Sequence, residues 1–250
     1  MAGQQVKSSR TGVRGASARG TACGELLRLR ILALETSADA GSLALLVDDQ
    51  GVCELPLDGP QRTAQSFAVR LVEALDRAGW QPRDVQLVAV AQGPGSFTGL
   101  RVGVMAAKVF AYAVGAEVLG VNTLEVIAAQ VPPPARRIAA VLDAQRRQLF
   151  TSLWSRQDEG VCEPVGVTRI EELEAWLGGL PRHVAVTGEG LRKVCDRLPT
   201  EVAVVDPRHW APRALTLGQL AHAHYQRGQR DDLWQLAPRY FRPSAAEEKR

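Results

Sequence analysis

One stretch near the middle of the chain, residues 88–103, restricts the fold more than any other. It reads VAVAQGPGSFTGLRVG, so that a short apolar run leads into a glycine-rich loop and the loop leads into a helical pattern. Glycines let backbone amides crowd together, and a helix N-terminus adds partial positive charge, so this layout predicts an anion site. A tight strand-to-helix turn without a ligand explains the same residues.

The loop does not match the common nucleotide signatures. No Gly-Lys-Ser or Gly-Lys-Thr ends it, which excludes a P-loop, and the spacing of Gly93, Gly95 and Gly99 is one residue longer than the dinucleotide fingerprint. Around it, apolar runs with strand character alternate with segments of helical periodicity, which predicts an α/β fold. The expected strands cover residues 29–34, 41–47, 52–57, 86–91, 117–121, 138–143, 148–154, 183–187 and 202–205, and the expected helices cover 63–78, 98–114, 124–130, 170–177, 191–198 and 214–226.

Charge is distributed unevenly along the chain. The net charge is +3, but residues 1–30 alone carry six basic and one acidic residue, so the other 220 residues carry a net −2. The folded part is therefore not a basic, nucleic-acid-binding body by charge count. Residues 1–28 lack hydrophobic periodicity and are rich in Gly, Ser, Ala and Arg, which predicts a disordered basic tail and excludes a secretory signal. An organelle transit peptide or a misassigned start codon explains the same composition. No apolar run reaches the roughly 18 residues that span a membrane, and we expect none.

Two adjacent predicted helices each carry regularly spaced residues on one face. On the second, small residues recur every fourth position, and they lie on one face. Such a face allows close helix approach, either to a partner chain or to the sheet of the same chain. On the first, apolar residues follow the same spacing. The residues concerned are Phe67, Leu71 and Leu75 on the first helix and Gly99, Gly103, Ala107 and Ala111 on the second.

Several motifs together resemble one protein family. Residues 93–101, GPGSFTGLR, resemble the signature of the TsaB family, the dimerisation subunits of the bacterial complex that makes threonylcarbamoyladenosine in tRNA. Further segments resemble that family in the expected order: 31–37, 121–125, 140–144, 187–190 and 238–243. The resemblance covers residues 29–250. It implies a two-lobed α/β fold of the actin-like ATPase (ribonuclease H-like) type with a reduced second lobe.

The resemblance also implies a division of the chain. Residues 1–28 would be the tail and 29–115 the first lobe, with the glycine loop and two interface helices. The resemblance implies that these helices contact a partner through the residues Phe67, Leu71, Leu75, Gly99, Gly103, Ala107 and Ala111. Residues 116–213 would form the second lobe, and 214–250 a C-terminal helix and tail that return toward the first. In this superfamily the first turn faces the nucleotide phosphates. Together with the anion site predicted for the glycine loop, this assigns phosphate contact to Thr36, Ser37, Gly93, Gly95 and Ser96.

The implied function is that of a cytoplasmic, non-catalytic subunit that activates a threonylcarbamoyltransferase for modification next to the anticodon. Its partners would be a second copy of the chain, the TsaD-like transferase, a TsaE-like ATPase and, through the complex, tRNA. No cofactor would be bound tightly, although ATP or ADP could lie at the complex interface. The catalytic paralogue carries two histidine metal ligands where this chain has Thr123 and Ile127, so the resemblance implies no metal here.

Two other functions remain open at this point. A metallopeptidase of the glycoprotease type would need a bound metal, and a small-molecule kinase would need a catalytic carboxylate, for which Glu35 and Asp143 are the candidates. The chain also departs from the family pattern. Glu35 replaces the usual aspartate of the first turn, and Gln65 with Phe67 replaces a more polar start of the first interface helix.

Overall fold

The computed structural model describes Met1 and residues 28–57, 63–157 and 162–241. Most of the expected N-terminal tail and the last part of the C-terminal tail lie outside these residues. The strands are β1 (Arg30–Glu35), β2 (Ser42–Val47), β3 (Gln50–Pro56), β4 (Leu87–Gly93), β5 (Glu117–Asn122), β6 (Arg137–Asp143), β7 (Gln148–Arg156), β8 (Cys162–Pro164), β9 (Arg169–Glu172), β10 (Ala185–Thr187) and β11 (Ala203–Val204). The α-helices are α1 (Thr63–Ala78), α2 (Phe97–Val114), α3 (Thr123–Ala129), α4 (Leu173–Gly179) and α5 (Ala214–Gln226).

The first sheet has the strand order β3-β2-β1-β4-β5. The first three strands form an antiparallel meander, and β1, β4 and β5 run parallel. Strands β1 and β4 are buried along almost their whole length, as expected for central strands covered on both faces. Helices α1 and α2 pack on one face around a core that includes Leu32 and Val88, whereas α5 packs on the other face around Ile31 and Ala89.

The second sheet has the order β11-β10-β6-β7-β8, and β9 also pairs with β7. Its two faces bury separate clusters: one includes Leu124 and Ile127 of α3, and the other includes Trp176 of α4. Two sheets with these orders confirm the two-lobed α/β class. The sheets change between β5 and β6, so the expected lobe boundary at 115/116 precedes the change of sheet by one strand.

Two predicted helices of the second lobe differ from the structure. The segment expected as one helix, 170–177, begins as β9, because Ile170 pairs with Phe150 of β7, and only then becomes α4. The segment expected at 191–198 forms two short 3₁₀ turns instead of an α-helix. Among the described residues only α2 is long and apolar enough to cross a membrane, a property that core helices of soluble proteins share.

Candidate functional site: the glycine loop and the helix pair

The glycine loop lies at one edge of the first sheet. Because β1 and β4 are parallel neighbours, their carboxyl ends meet there, and the turn after Glu35 faces the loop that follows Gly93. The Ser96 amide donates to the Ser37 carbonyl oxygen at 2.7 Å. A Cβ added at Gly95 would overlap that same oxygen, so only glycine allows the loop to lie this close to the turn.

Polar groups at the start of α2 also form hydrogen bonds within the chain. Ser96 is the N-cap residue, and its hydroxyl accepts from the Gly99 amide at 3.3 Å. The Thr36 hydroxyl donates to the Gly99 carbonyl at 2.8 Å. Thr36 and Ser37 are both buried. The loop thus forms a tight strand-to-helix turn, and phosphate contact by Thr36, Ser37, Gly93, Gly95 and Ser96 stays a prediction.

Glu35, at the end of β1, is completely buried. Its Oε1 accepts from the Ser37 amide at 2.6 Å and from the Ser37 hydroxyl at 2.5 Å, whereas its Oε2 has no hydrogen-bond partner. Burial raises the pKa of this carboxyl to about 7; the bonds from Ser37 lower it, and the negative charge of Glu189 raises it further. The longer side chain therefore still orders the first turn, although its charged form is poorly solvated.

The small-residue face of α2 points into the chain, which corrects the predicted interface. Gly99, Gly103, Ala107 and Ala111 are all buried. A Cβ at Gly103 would overlap the Thr36 hydroxyl, and one at Gly99 would overlap the Thr36 carbonyl. The small side chains let α2 approach the first turn and the sheet. The spacing identified a shared face correctly, but the sheet covers that face instead of a partner.

The apolar residues predicted on α1 are internal as well. Leu71 and Leu75 are buried in the core between α1, α2 and the sheet, and Phe67 is half-buried against the same core. Leu71 and Leu75 are thus core residues of this chain, whereas Phe67 leaves part of its ring exposed at the edge of that core. The assignment of Phe67, Leu71 and Leu75 to a partner interface stays a prediction.

The opposite sides of the two helices carry large apolar residues in solvent. On α2 they recur at i, i+4 and i+7, and on α1 at i and i+3, and each is more than half exposed. Because α1 and α2 pack side by side on one face of the sheet, their outer sides form one surface. We call it the helix-pair face. Its residues are Val69, Val72, Met105, Val109 and Tyr112.

An aromatic cluster that the sequence did not indicate borders the helix-pair face. The Tyr240 ring stacks on Phe97 with centroids 4.7 Å apart, and Arg101 donates from Nε to the Tyr240 hydroxyl at 2.9 Å. The Arg101 guanidinium also lies 4.1 Å from the Phe97 ring centre, within cation–π range. Further along α2, the exposed Trp234 ring meets Tyr112 edge-on at 5.6 Å. Residues far apart in sequence form this cluster, so no local pattern predicts it.

The remaining candidate residues lie outside this region. Thr123 begins α3 and is buried, and Ile127 is part of the core of the second sheet. Asp143, at the end of β6, accepts from the Gln145 amide at 2.9 Å and forms an ion pair with Lys193. Within the described ranges, His, Cys, Asp and Glu side chains form no group of three suited to a metal ion.

Comparisons with known proteins show which proteins this chain is similar to. A family model described as TsaD, tRNA N6-adenosine threonylcarbamoyltransferase, matches residues 59–170. The tRNA threonylcarbamoyladenosine biosynthesis protein TsaB of Bacillus subtilis is 31% identical over 153 residues, which are 60% of this chain and 65% of that protein. The protein of the same name from Escherichia coli is 30% identical over 135 residues, or 53% of this chain and 58% of that protein. The chain thus spans less than two thirds of each of these relatives.

A solved structure extends the likeness over most of the chain. YeaZ from Pseudomonas aeruginosa superposes with a TM-score of 0.76 at 27% identity, covering 85% of this chain and 99% of that one. The two-sheet architecture, the glycine loop that follows β4 and the related sequences lead to one conclusion: the chain belongs to the TsaB family.

Proposed function

We propose that this chain takes part in making N6-threonylcarbamoyladenosine in tRNA, as a non-catalytic subunit that binds and activates the threonylcarbamoyltransferase. Both curated relatives are named for threonylcarbamoyladenosine biosynthesis, and the matching family model is named for the transferase. The chain is thus related both to the accessory protein and to the enzyme. A protein of this kind can pair with its paralogue through surfaces that the two share.

The helix-pair face is the observation that carries the partner role. Met105, Val109 and Tyr112 are 61%, 60% and 68% exposed, and Val69 and Val72 extend the surface on α1. Monomeric soluble proteins rarely expose a contiguous apolar patch of several large side chains, and such patches mark protein interfaces. Two parallel stripes on neighbouring helices suit a second helix pair, which would complete a helical bundle.

The chain's own residues support a non-catalytic role. Thr123 and Ile127 occupy the positions where the resemblance places two metal-binding histidines, and neither side chain is a good metal ligand. The two carboxylates that a kinase could use already have partners within the chain. Glu35 is buried and accepts a hydrogen bond from Ser37, and Asp143 forms an ion pair with Lys193. The metallopeptidase and small-molecule kinase alternatives are therefore not favoured.

We infer the following partners for the helix-pair face and the complex. The face would bind a second copy of this chain or the TsaD-like transferase, and a TsaE-like ATPase and tRNA would join through the complex in the cytoplasm. ATP or ADP would bind, if at all, at the interface between subunits. The structure supports the nucleotide part least, because the Ser96 amide and the N-cap of α2 are already bonded within the chain.

Co-purification tests the proposal without assuming an activity. The chain, tagged and expressed at native level, is isolated from its own cells, and the bound proteins are identified by mass spectrometry. We expect the threonylcarbamoyltransferase as the main partner of the wild type and its loss from the Val109→Glu variant. Val167→Glu, an exposed valine of the second lobe, is the matched control and should retain it. Absence of the transferase from the wild-type sample would contradict the proposal.

A further inference from the structure

The last described segment leaves α5 and crosses the first lobe. We call residues Asp231–Phe241 the strap. At its start, the Asp231 amide donates to the Val118 carbonyl at 3.2 Å, and its carboxylate accepts from the Gly120 amide at 2.7 Å. Further on, Leu236 is buried in the core beneath α2. The strap is therefore an integral layer of the first lobe beside β5.

The strap next covers the end of β4, where the glycine loop begins. The Arg239 amide donates to the Gln92 carbonyl at 2.7 Å, and the Gln92 side-chain amide donates to the Ala237 carbonyl at 2.9 Å. A Cβ added at Gly93 would lie 2.8 Å from the Arg239 carbonyl oxygen. The strap backbone thus packs directly against the first residue of the loop, and that close contact requires glycine there.

Helix α2 fastens the strap along its length. Lys108 donates from Nζ to the carbonyl oxygens of Trp234 and Leu236, each at 3.0 Å. One turn from the N-terminus of α2, Arg101 and Phe97 hold Tyr240 through the stacked cluster described above. Any displacement of the strap therefore acts on both the loop and the start of α2.

The strap ends on the second lobe. The Phe241 ring meets the Phe150 ring of β7 edge-on, with centroids 6.1 Å apart. Phe150 in turn packs against the core of the second sheet. Together with the hydrogen bond from the Asn122 side-chain amide to the Thr168 hydroxyl at 3.0 Å, this aromatic pair connects the two lobes away from the covalent crossings of the chain.

The two covalent crossings lie next to each other. One runs from α3 to β6 and the other leads into α5, and Gln130 binds them together. Its side-chain amide donates to the carbonyls of His209 at 3.1 Å and Ala211 at 2.8 Å, and its oxygen accepts from the Arg213 amide at 2.8 Å. Helix α3 also packs on both sheets there, with Val126 in the core of the first and Ile127 in the core of the second, so a rotation of one sheet against the other would turn about this place.

The aromatic pair lies far from this hinge. Arg156, the last residue of β7, donates to the Val131 carbonyl at 2.6 Å, so that end of β7 adjoins the crossing. Phe150 lies six residues earlier on the same strand, which corresponds to about 20 Å at the usual rise of a β-strand. A contact at that distance resists rotation far better than one at the hinge.

We propose that the strap is an interlobe latch: the Phe241–Phe150 contact holds the second lobe in one orientation relative to the first. The same segment packs on Gly93 and stacks at the start of α2. Rotation of the second lobe therefore disturbs the glycine loop, and binding at the helix-pair face is coupled through the strap to the orientation of the second lobe.

Distance measurements between the lobes test the latch. Spin labels are attached through a keto amino acid at the exposed positions Val52 on β3 and Val167 in the second lobe, which leaves the native cysteines in place. Double electron–electron resonance is recorded on the full chain, on Phe241→Ala and on Trp234→Ala. The last variant is the control, because Trp234 is a 70% exposed strap residue whose ring meets α2 and not the second lobe.

We expect one narrow distance distribution for the wild type and for Trp234→Ala, and a broadened or split distribution for Phe241→Ala. Phe150→Leu, which removes the facing ring, should give the same broadening and serves as the second variant if Phe241→Ala does not fold. A narrow, wild-type distribution in a folded Phe241→Ala or Phe150→Leu chain would overturn the latch.

Discussion

At the scale of single residues, Glu35 is fully buried, and only one of its two carboxyl oxygens accepts hydrogen bonds. Its pKa of about 7 in the folded chain lies above the ordinary value of 4.5. The unfolded chain therefore loses this proton at lower pH than the folded chain does. Stability from this group is greatest below about pH 4.5, declines as pH rises from there to about 7, and then stays low.

A first prediction follows for the pH dependence of stability. Between pH 5 and pH 8 the free energy of unfolding should fall by up to about 3 kcal/mol because of Glu35. Urea denaturation of Glu35→Gln should show a smaller fall, since glutamine does not titrate, and exposed Glu201→Gln should behave as the wild type. Equal pH dependence in Glu35→Gln and the wild type would exclude Glu35 as the source.

A second prediction concerns the close approach of α2 to the first turn. Gly103→Ala places a methyl group on the Thr36 hydroxyl and should lower the free energy of unfolding by about 1–3 kcal/mol. Gly178→Ala is the matched control, because its added Cβ meets no atom within 4 Å and alanine favours the helix it lies in. Equal stability of the two variants in urea denaturation would show that α2 can shift away from the turn.

At the scale of elements, amphipathic periodicity predicted some boundaries closely. Helix α1 spans 63–78 and α5 spans 214–226, both as expected, because each has a clear apolar stripe. The helices predicted at 170–177 and 191–198 are wrong. Strand pairing with β7 outweighed the helical preference of the first segment, and a glycine-rich turn outweighed that of the second. Periodicity also grouped the small residues of α2 correctly, but it cannot tell whether a partner or the chain's own sheet meets that face.

A third prediction belongs to the helix-pair face. The Met105 and Val109 side chains lie in solvent in the monomer. The variants Met105→Glu and Val109→Glu should therefore leave the melting temperature almost unchanged. In an interface each would bury an unpaired carboxylate, which should weaken self-association by at least about 2 kcal/mol, roughly thirtyfold in Kd. Light scattering across a dilution series measures this, with Val167→Glu as the control. Dimers as tight as the wild type in folded Val109→Glu would reject the face.

At the scale of the whole molecule, the contacts that define the site are those the sequence predicts least. The α/β class, the parallel strands and the glycine loop follow from local pattern. The electrostatic effect of Glu189 on Glu35, and the return of the strap across β4 and α2, join residues separated by a hundred positions or more. Only the assembled fold reveals which side of the helix pair remains exposed.

The central claim is that this chain activates a transferase and does not itself modify tRNA. Formation of threonylcarbamoyladenosine is measured in purified unmodified tRNA with the transferase of the same cells, the ATPase subunit and a cell extract that supplies the threonylcarbamoyl donor but lacks this chain. We predict strong stimulation by the wild type, loss of that stimulation with folded Val109→Glu, retention with Val167→Glu, and no product when the transferase is omitted. Product from this chain without the transferase, or equal transferase activity with and without the chain, would contradict the claim.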